Sequence, residues 1–296
     1  MTKQRQPAAK VLSTYELMQK FPDEQSAIDY LAGILWRNGV KCGYCKSKNV
    51  KERKGNHCND CKQDFSIRVG TIFHRSHIPL HKWLYAMYLL VTARKGISSM
   101  QLSKEIGVTY KSAWFLSQCI RAACGNMTEK LLSGIVEVDE AHFGGKEKNR
   151  HNNKKLRLGR GTAGKTPVLG MRGRDGQVVA KVVESTTAVT LQGEIKENVV
   201  AGTMVCTDEH GAYRGLSADA EKKYVHKTVN HLDGMVYTNS IESVWAVLKR
   251  GFYGIYHWFS RKHMSLYIDE FVFRLNEGNC VIDNQSLVPC PSLKLG

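Results

Sequence analysis

The chain has 296 residues, 42% of them hydrophobic, enough to bury a substantial core and to form two or three domains. Lys and Arg number 43 against 27 Asp and Glu, a formal charge of +16 that favours a polyanion partner, nucleic acid above all, over a small-molecule substrate. The longest apolar run, Trp83 to Val91, is too short to cross a bilayer, and Met1 to Lys20 lacks the apolar stretch of a signal segment. The expected location is therefore cytoplasmic, with no membrane partner.

Residues 1–22 read as a flexible basic lead and residues 23–75 as a helix plus a zinc ribbon. Asp23 to Arg37 places Ile28, Leu31, Ile34 and Leu35 at helical spacing and delivers the chain to Cys42. Cys42-Gly-Tyr-Cys45 and Cys58-Asn-Asp-Cys61 are two CxxC pairs separated by twelve residues. Each pair lets two thiolates grip one ion from a tight turn, and two pairs complete a closed tetrahedral site, the pattern of a structural Zn(II). His57 reads as a surface neighbour rather than a ligand. Lys46, Lys48, Lys51, Arg53 and Lys54 ring this module, which suits either contact with a phosphate backbone or plain solubility.

Residues 76–130 turn helical and read as a DNA-binding segment. Ser98 to Ile106 predicts one helix, packed through Met100, Leu102 and Ile106. Gly107-Val108 supplies a turn, and Thr109 caps a second helix through Arg121. The pattern fits a helix-turn-helix whose second helix enters the major groove, with Tyr110, Lys111, Ser112 and Gln118 as groove-facing residues. A plain helical hairpin would show the same spacing.

From residue 131 to 277 apolar runs and helical patterns alternate, and residues 278–296 form an aperiodic tail. Gly134 to Asp139 and Met204 to Asp208 are apolar runs closed by an acid, which places two carboxylates at strand ends on a sheet rim. Arg172 to Gly176 lies between two Val-rich runs and predicts a hairpin. Thr190 to Val199 reads as a helix, and Asn239 opens a helical pattern that reaches Lys249. The order of three strands, a helix, a strand and then helices predicts an α/β, ribonuclease H-like mixed sheet with flanking helices. Asp139 and Asp208, with a third ligand borne by the helix that Asn239 to Glu242 opens, make the donor set that a two-magnesium phosphoryl-transfer site requires. Glu140, Glu209 and His142 sit beside these acids but alternate to the opposite strand face or fall in a loop.

Lys146 to Arg160 carries Lys148, Arg150, Lys154, Lys155 and Arg157 directly after the first acidic strand. Such a run is either a solvated loop or a phosphate-gripping arm that orders on binding DNA.

Three segments then resemble the catalytic blocks of bacterial insertion-sequence transposases of the DDE type with an N-terminal zinc ribbon. They are Val136 to Gly145 (VEVDEAHFGG), Thr207 to Tyr213 (TDEHGAY) and Asn239 to Arg250 (NSIESVWAVLKR). Gly254 to His257 and Tyr267 to Asn276 extend the resemblance, which runs from about residue 23 to 277. It implies a two-metal nuclease core that cuts transposon ends and joins them to target DNA, working as a homodimer or higher oligomer on DNA. Asp139 and Asp208 would be ligands. The third is Asn239 or Glu242, since both occur three apart on one helix face. A capping box, with Asn239 as N-cap and Glu242 returning to its amide, is the structural alternative. Lys249 lies two turns beyond Glu242 and would contact a DNA phosphate. Two other readings remain open: a non-catalytic zinc-ribbon and helix-turn-helix regulator, and a ribonuclease H-like nuclease or resolvase.

Overall fold

A computed structural model describes residues 12–52, 55–125, 131–145, 149, 151–156, 161–162, 164–218, 223–229 and 236–277. The chain divides at Met127/Thr128 into two compact units. Arg53, Lys148, Arg150 and Arg157 lie outside the described residues.

In the first unit α1 (Thr14–Lys20) and α2 (Glu24–Leu35) precede the cysteines. The expectation of a structureless lead therefore fails over residues 14–20. Ser13 and Glu16 form a reciprocal capping box, and Leu17 turns inward to anchor the short helix. Asp23 caps α2 by accepting from Ser26 N at 2.9 Å. The buried face of α2 is Ala27 and Leu31, whereas Ile34 is exposed, contrary to its expected place on the packed stripe. Arg68 ties α2 to the later chain: it meets Glu24 at 2.5 Å and donates to Ser76 O and Ile78 O at 2.9 Å each.

Between these helices and the next lies a small antiparallel sheet, β1 (Val50–Glu52), β2 (Asn56–Cys58) and β3 (Asp64–Phe65). Three helices follow: α3 (Leu80–Thr92), α4 (Ser99–Ile106) and α5 (Tyr110–Gly125). The apolar run noted above lies in α3, where Trp83, Leu84, Met87 and Leu90 are buried. Ser98 caps α4, Gly107 ends it in the left-handed conformation (φ 61°), and Thr109 Oγ1 accepts from Ser112 N at 3.2 Å to start α5. Leu102 and Ile106 pack inward as expected. Met100 does not: it is 55% exposed, and the small Ser103 takes the third inward position.

The second unit holds a five-stranded sheet. Its strands are β4 (Ile135–Phe143), β5 (Thr166–Gly173), β6 (Val178–Val182), β7 (Met204–Thr207) and β8 (Val225–Thr228). Their order is β6-β5-β4-β7-β8, with β4, β5 and β6 antiparallel and β7 and β8 parallel to β4. This mixed sheet, with a helical crossover between the antiparallel and parallel halves, has the ribonuclease H-like topology. Strand β8 had no counterpart among the predicted elements. The crossover helix α6 (Ala188–Asn198) starts two residues earlier than its apolar pattern.

Alternation along β4 feeds two separate cores. Ala141 and Phe143 face α7 (Asn239–Gly251) and α8 (Met264–Glu277), packing with Ile241, Val244, Trp245, Leu248 and Phe271. Val136 and Val138 face α6, packing with Leu191 and Ile195. On α8, Glu270 and Arg274 are buried as an ion pair, and Tyr256 Oη donates to Glu270 at 3.1 Å.

Candidate active site and metal centres

The register of β4 and β7 brings the two predicted aspartates together. The strands are parallel, with Val136 opposite Val205 and Glu137 opposite Cys206. Two residues further on, the same spacing sets Asp139 against Asp208, just past the end of β7. Asp139 does not end its strand, as its apolar run suggested. β4 continues to Phe143 because it keeps its antiparallel partner, Asp139 standing opposite Gly170, after β7 has stopped. The carboxylate therefore lies at a step in the sheet, with one flank covered and the other open.

One oxygen from each of Asp139, Glu140 and Asp208 lies within 4.8 Å of the others. Glu140 was set aside at the sequence level because it alternates to the other face. It does point to the α6 side, where His210 Nδ1 is 3.7 Å away, but its longer side chain still reaches the group. Asp139 is held from two directions: Glu140 N donates to Oδ1 at 2.8 Å and Trp245 Nε1 to Oδ2 at 3.0 Å. Asp208 Oδ1 accepts from His210 N at 3.1 Å. Burial pushes the Asp139 carboxyl above its ordinary value, and the charges of Asp208 and Glu242 push the same way. Burial likewise raises Glu140 and the Tyr213 hydroxyl beside it. Hard oxygen donors grouped this closely, two of them raised by burial and then by neighbouring negative charge, form the environment a divalent cation relieves, so these residues fit Mg(II) or Mn(II).

Among the other predicted residues, Asn239, Glu242 and Lys249 all lie on α7 and are exposed. Glu242 is outside the three-carboxylate group, yet close enough to Asp139 to act on its charge. The capping box centred on Asn239 does not form. The N-cap is Thr238, whose hydroxyl meets Glu242 Oε1 at 3.4 Å. Burial and the charges of Lys165 and Lys249 lower the His142 imidazole. On α5, Lys111 is exposed and Gln118 half-buried; Lys155, within the basic run, is half-buried.

Two residues to which the sequence assigned no role, Gly170 and Trp245, support Asp139. A Cβ on Gly170 would lie 2.4 Å from Trp245 Cζ2 and 3.0 Å from Ile241 Cδ1. The missing side chain is what lets the indole lie against the sheet with its N–H on Asp139. The paired requirement is visible only once β5 and α7 are seen to meet.

In the first unit the four predicted cysteines converge, all four sulfurs lying within 4.8 Å of one another. Cys42 Sγ is 3.6 Å from Cys61 Sγ, and Cys45 Sγ is 3.5 Å from Cys58 Sγ. Zn–S bonds of about 2.3 Å in a tetrahedron set sulfur–sulfur edges of about 3.8 Å, so the cluster fits one zinc ion. The Cys61 and Asp60 amides hold the Cys58 thiol down to about 6. Asp60 braces the two knuckles, accepting from Ser47 Oγ and, at 2.8 Å, from Asn49 Nδ2. His57 pairs with Asp64 at 2.6 Å and lies outside the four-sulfur group.

Residues 131–276 match the ISXO2-like transposase domain. This part of the chain belongs to that transposase family. Over an alignment of 276 residues the chain is 29% identical to an uncharacterized protein in the transposable element ISH50 of Halobacterium salinarum, covering 87% of this chain and 92% of the relative. That relative is archaeal, so the resemblance reaches beyond bacterial elements. Among solved structures, the Mos1 transposase paired-end complex with left transposon end aligns at a TM-score of 0.29 and 10% identity, over 66% of this chain and 75% of that one. A pre-cleavage Mos1 transpososome aligns at 0.28 and 11%, over 65% and 74%. Likeness of that order transfers no residue roles to the transposase domain. No helix among the described residues is long and apolar enough to cross a membrane.

Proposed function

We propose that this transposase binds the ends of its own element, cleaves DNA strands with two divalent ions, and joins the 3′ ends to target DNA. The observation that carries the reading is the meeting of Asp139, Glu140 and Asp208 at the step between β4 and β7, within a transposase domain. Asp139 and Asp208 hold the ions, and Glu242 is the third ligand favoured over Asn239, because it brings a full negative charge already felt at Asp139. Two ions bound there would supply the Lewis acidity and nucleophile activation that strand cleavage and transfer need.

The protein side of the reaction is positioning. Trp245 Nε1 and the Glu140 amide fix the two Asp139 oxygens, so the ligand is oriented before DNA arrives. Lys249, exposed on the helix of Glu242, meets a backbone phosphate. In the first unit the four cysteines hold a structural Zn(II), while Lys111 and its neighbours on α5 face a DNA groove. The surplus of 43 basic over 27 acidic residues supplies attraction to the DNA polyanion. Bringing two ends together calls for a homodimer or larger assembly on DNA.

The test is end cleavage by Asp139→Ala with Mg(II). The variant is expected to bind a duplex carrying the element's terminal sequence with unchanged affinity and to lose nicking. Full nicking by that variant overturns the reading. Transfer of a labelled 3′ end into a plasmid by the wild type separates a transposase from a resolvase.

A further inference from the structure

Strand β4 carries a second acid on the Asp139 face, and it points away from the carboxylate cluster. Glu137 is fully buried (0% exposed). Its Oε2 accepts from Ser240 N at 2.9 Å and Ile241 N at 3.1 Å, two of the amides that the first turn of any helix leaves without a partner. A negative charge at a helix N-terminus is also favoured by the aligned peptide dipoles. Arg174 Nε lies 3.8 Å from the other oxygen, and its guanidinium stacks 4.1 Å above the Tyr237 ring. Arg172 Nη1 donates to Ser240 O at 2.8 Å and Ser243 Oγ at 3.1 Å, gripping the same turn from β5.

We propose that Glu137 is a positioning residue for the catalytic acids. By capping α7 from the strand that bears Asp139, it sets Glu242 against the metal site, where Thr238 Oγ1 meets only one of the two Glu242 oxygens, at 3.4 Å. Capping the helix and holding a cation fall to different acids. The amides of the second and third helical residues, here Ser240 and Ile241, are those an N-cap side chain ordinarily accepts from. Here Glu137 satisfies those amides, while the N-cap Thr238 makes no cap bond through its side chain. Two ties then run from β4 to α7: Glu137 to its first turn, and Asp139 to Trp245 further along. Together they fix both the axial position and the rotation of the helix, with Glu242 between them.

This inference rests on the two-ion reading above, and the experiment separates the two. Full-length Glu137→Gln, Glu137→Ala and Asp139→Ala are compared with wild type. The readouts are nicking of an end duplex, Mn(II) titration, and hydrogen exchange of the α7 first turn. Glu137→Gln keeps shape and one acceptor oxygen but loses the charge. It is expected to fold, keep the KM for DNA, and lose about tenfold in kcat and Mn(II) affinity, the low end for residues that orient a ligand. Glu137→Ala is expected to lose more, and exchange at Ser240 and Ile241 to quicken in both. A folded Glu137→Ala with wild-type kcat and Mn(II) affinity overturns the proposal. If that variant does not fold, a Glu137→Gln with wild-type values overturns it. So does a Glu137→Gln that cannot fold, since the role would then be global. Nicking by Asp139→Ala marks instead a failure of the two-ion reading.

Discussion

Replacing Gly170 with alanine puts a methyl group where the Trp245 indole now lies, 2.4 Å from Cζ2 and 2.6 Å from Cη2. Neither neighbour can yield cheaply. Trp245 is 3% exposed and packed edge-on to Phe143, with ring centroids 6.3 Å apart, and Ile241 behind it is fully buried. Overpacking of this kind costs about 1–3 kcal/mol. Pushing the indole off also breaks its hydrogen bond to a carboxylate, worth about 1.5–3 kcal/mol. The expected loss is about 3 kcal/mol, or about 6–12 °C in the melting of a unit this size. Gly193→Ala is the control: it lies in α6 with nothing within 4 Å of the added carbon, and is expected to stabilise by up to about 1 kcal/mol. Calorimetry of both variants, with Mn(II) titration, is the assay. Gly170→Ala should also bind Mn(II) more weakly, because Asp139 loses one of its two donors. A Gly170→Ala protein that melts with wild type and binds Mn(II) normally refutes the reasoning.

Other consequences can be measured independently. Cys58→Ser removes one of four converging sulfurs, and zinc content by atomic absorption should fall from one per chain toward zero, with loss of the ordered β1–β3 sheet. Burial pushes the Asp269 carboxyl up to about 6 from 3.8. A raised carboxyl destabilises the fold as it ionises, so stability should decline as pH rises from about 4 to 6. The shift corresponds to at most about 3 kcal/mol, discounted to about 1 kcal/mol because the side chain is only half-buried. Asp269→Asn should flatten that part of the stability profile in urea titrations, and an unchanged slope would show that the group is solvated.

The four cysteines and the acidic pair were legible because their residue types are costly to place together without an ion. The strands bearing Asp139 and Asp208 were legible as apolar runs. Strand β8 was not, since Val225–Thr228 alternates without a buried apolar face; Val225 itself is 48% exposed. The continuation of β4 was hidden for a related reason. Glu140 and His142 interrupt the apolar run, yet Ala141 and Phe143 still alternate inward to the α7 side. Glu140 was discounted on strand alternation alone, which ignores how far a glutamate can reach at a sheet step. Glu137 reads in sequence as one polar residue in a valine-rich strand. Its role depends on Ser240 and Ile241, more than a hundred residues away, and no local pattern encodes that distance.

The short parallel pairing of β4 with β7, only three residues on each strand, limits how elements of this kind can diverge. Adding or deleting one residue between Leu132 and Asp139 would rotate that carboxylate by half a pleat, out of reach of its partner and into the hydrocarbon packed on α6. Lineages can therefore exchange one apolar side chain for another along this stretch while Glu137 and Asp139 stay, whereas frame-preserving insertions there should be purged. Length variation should collect instead after Gly145, where the chain has already left the strand.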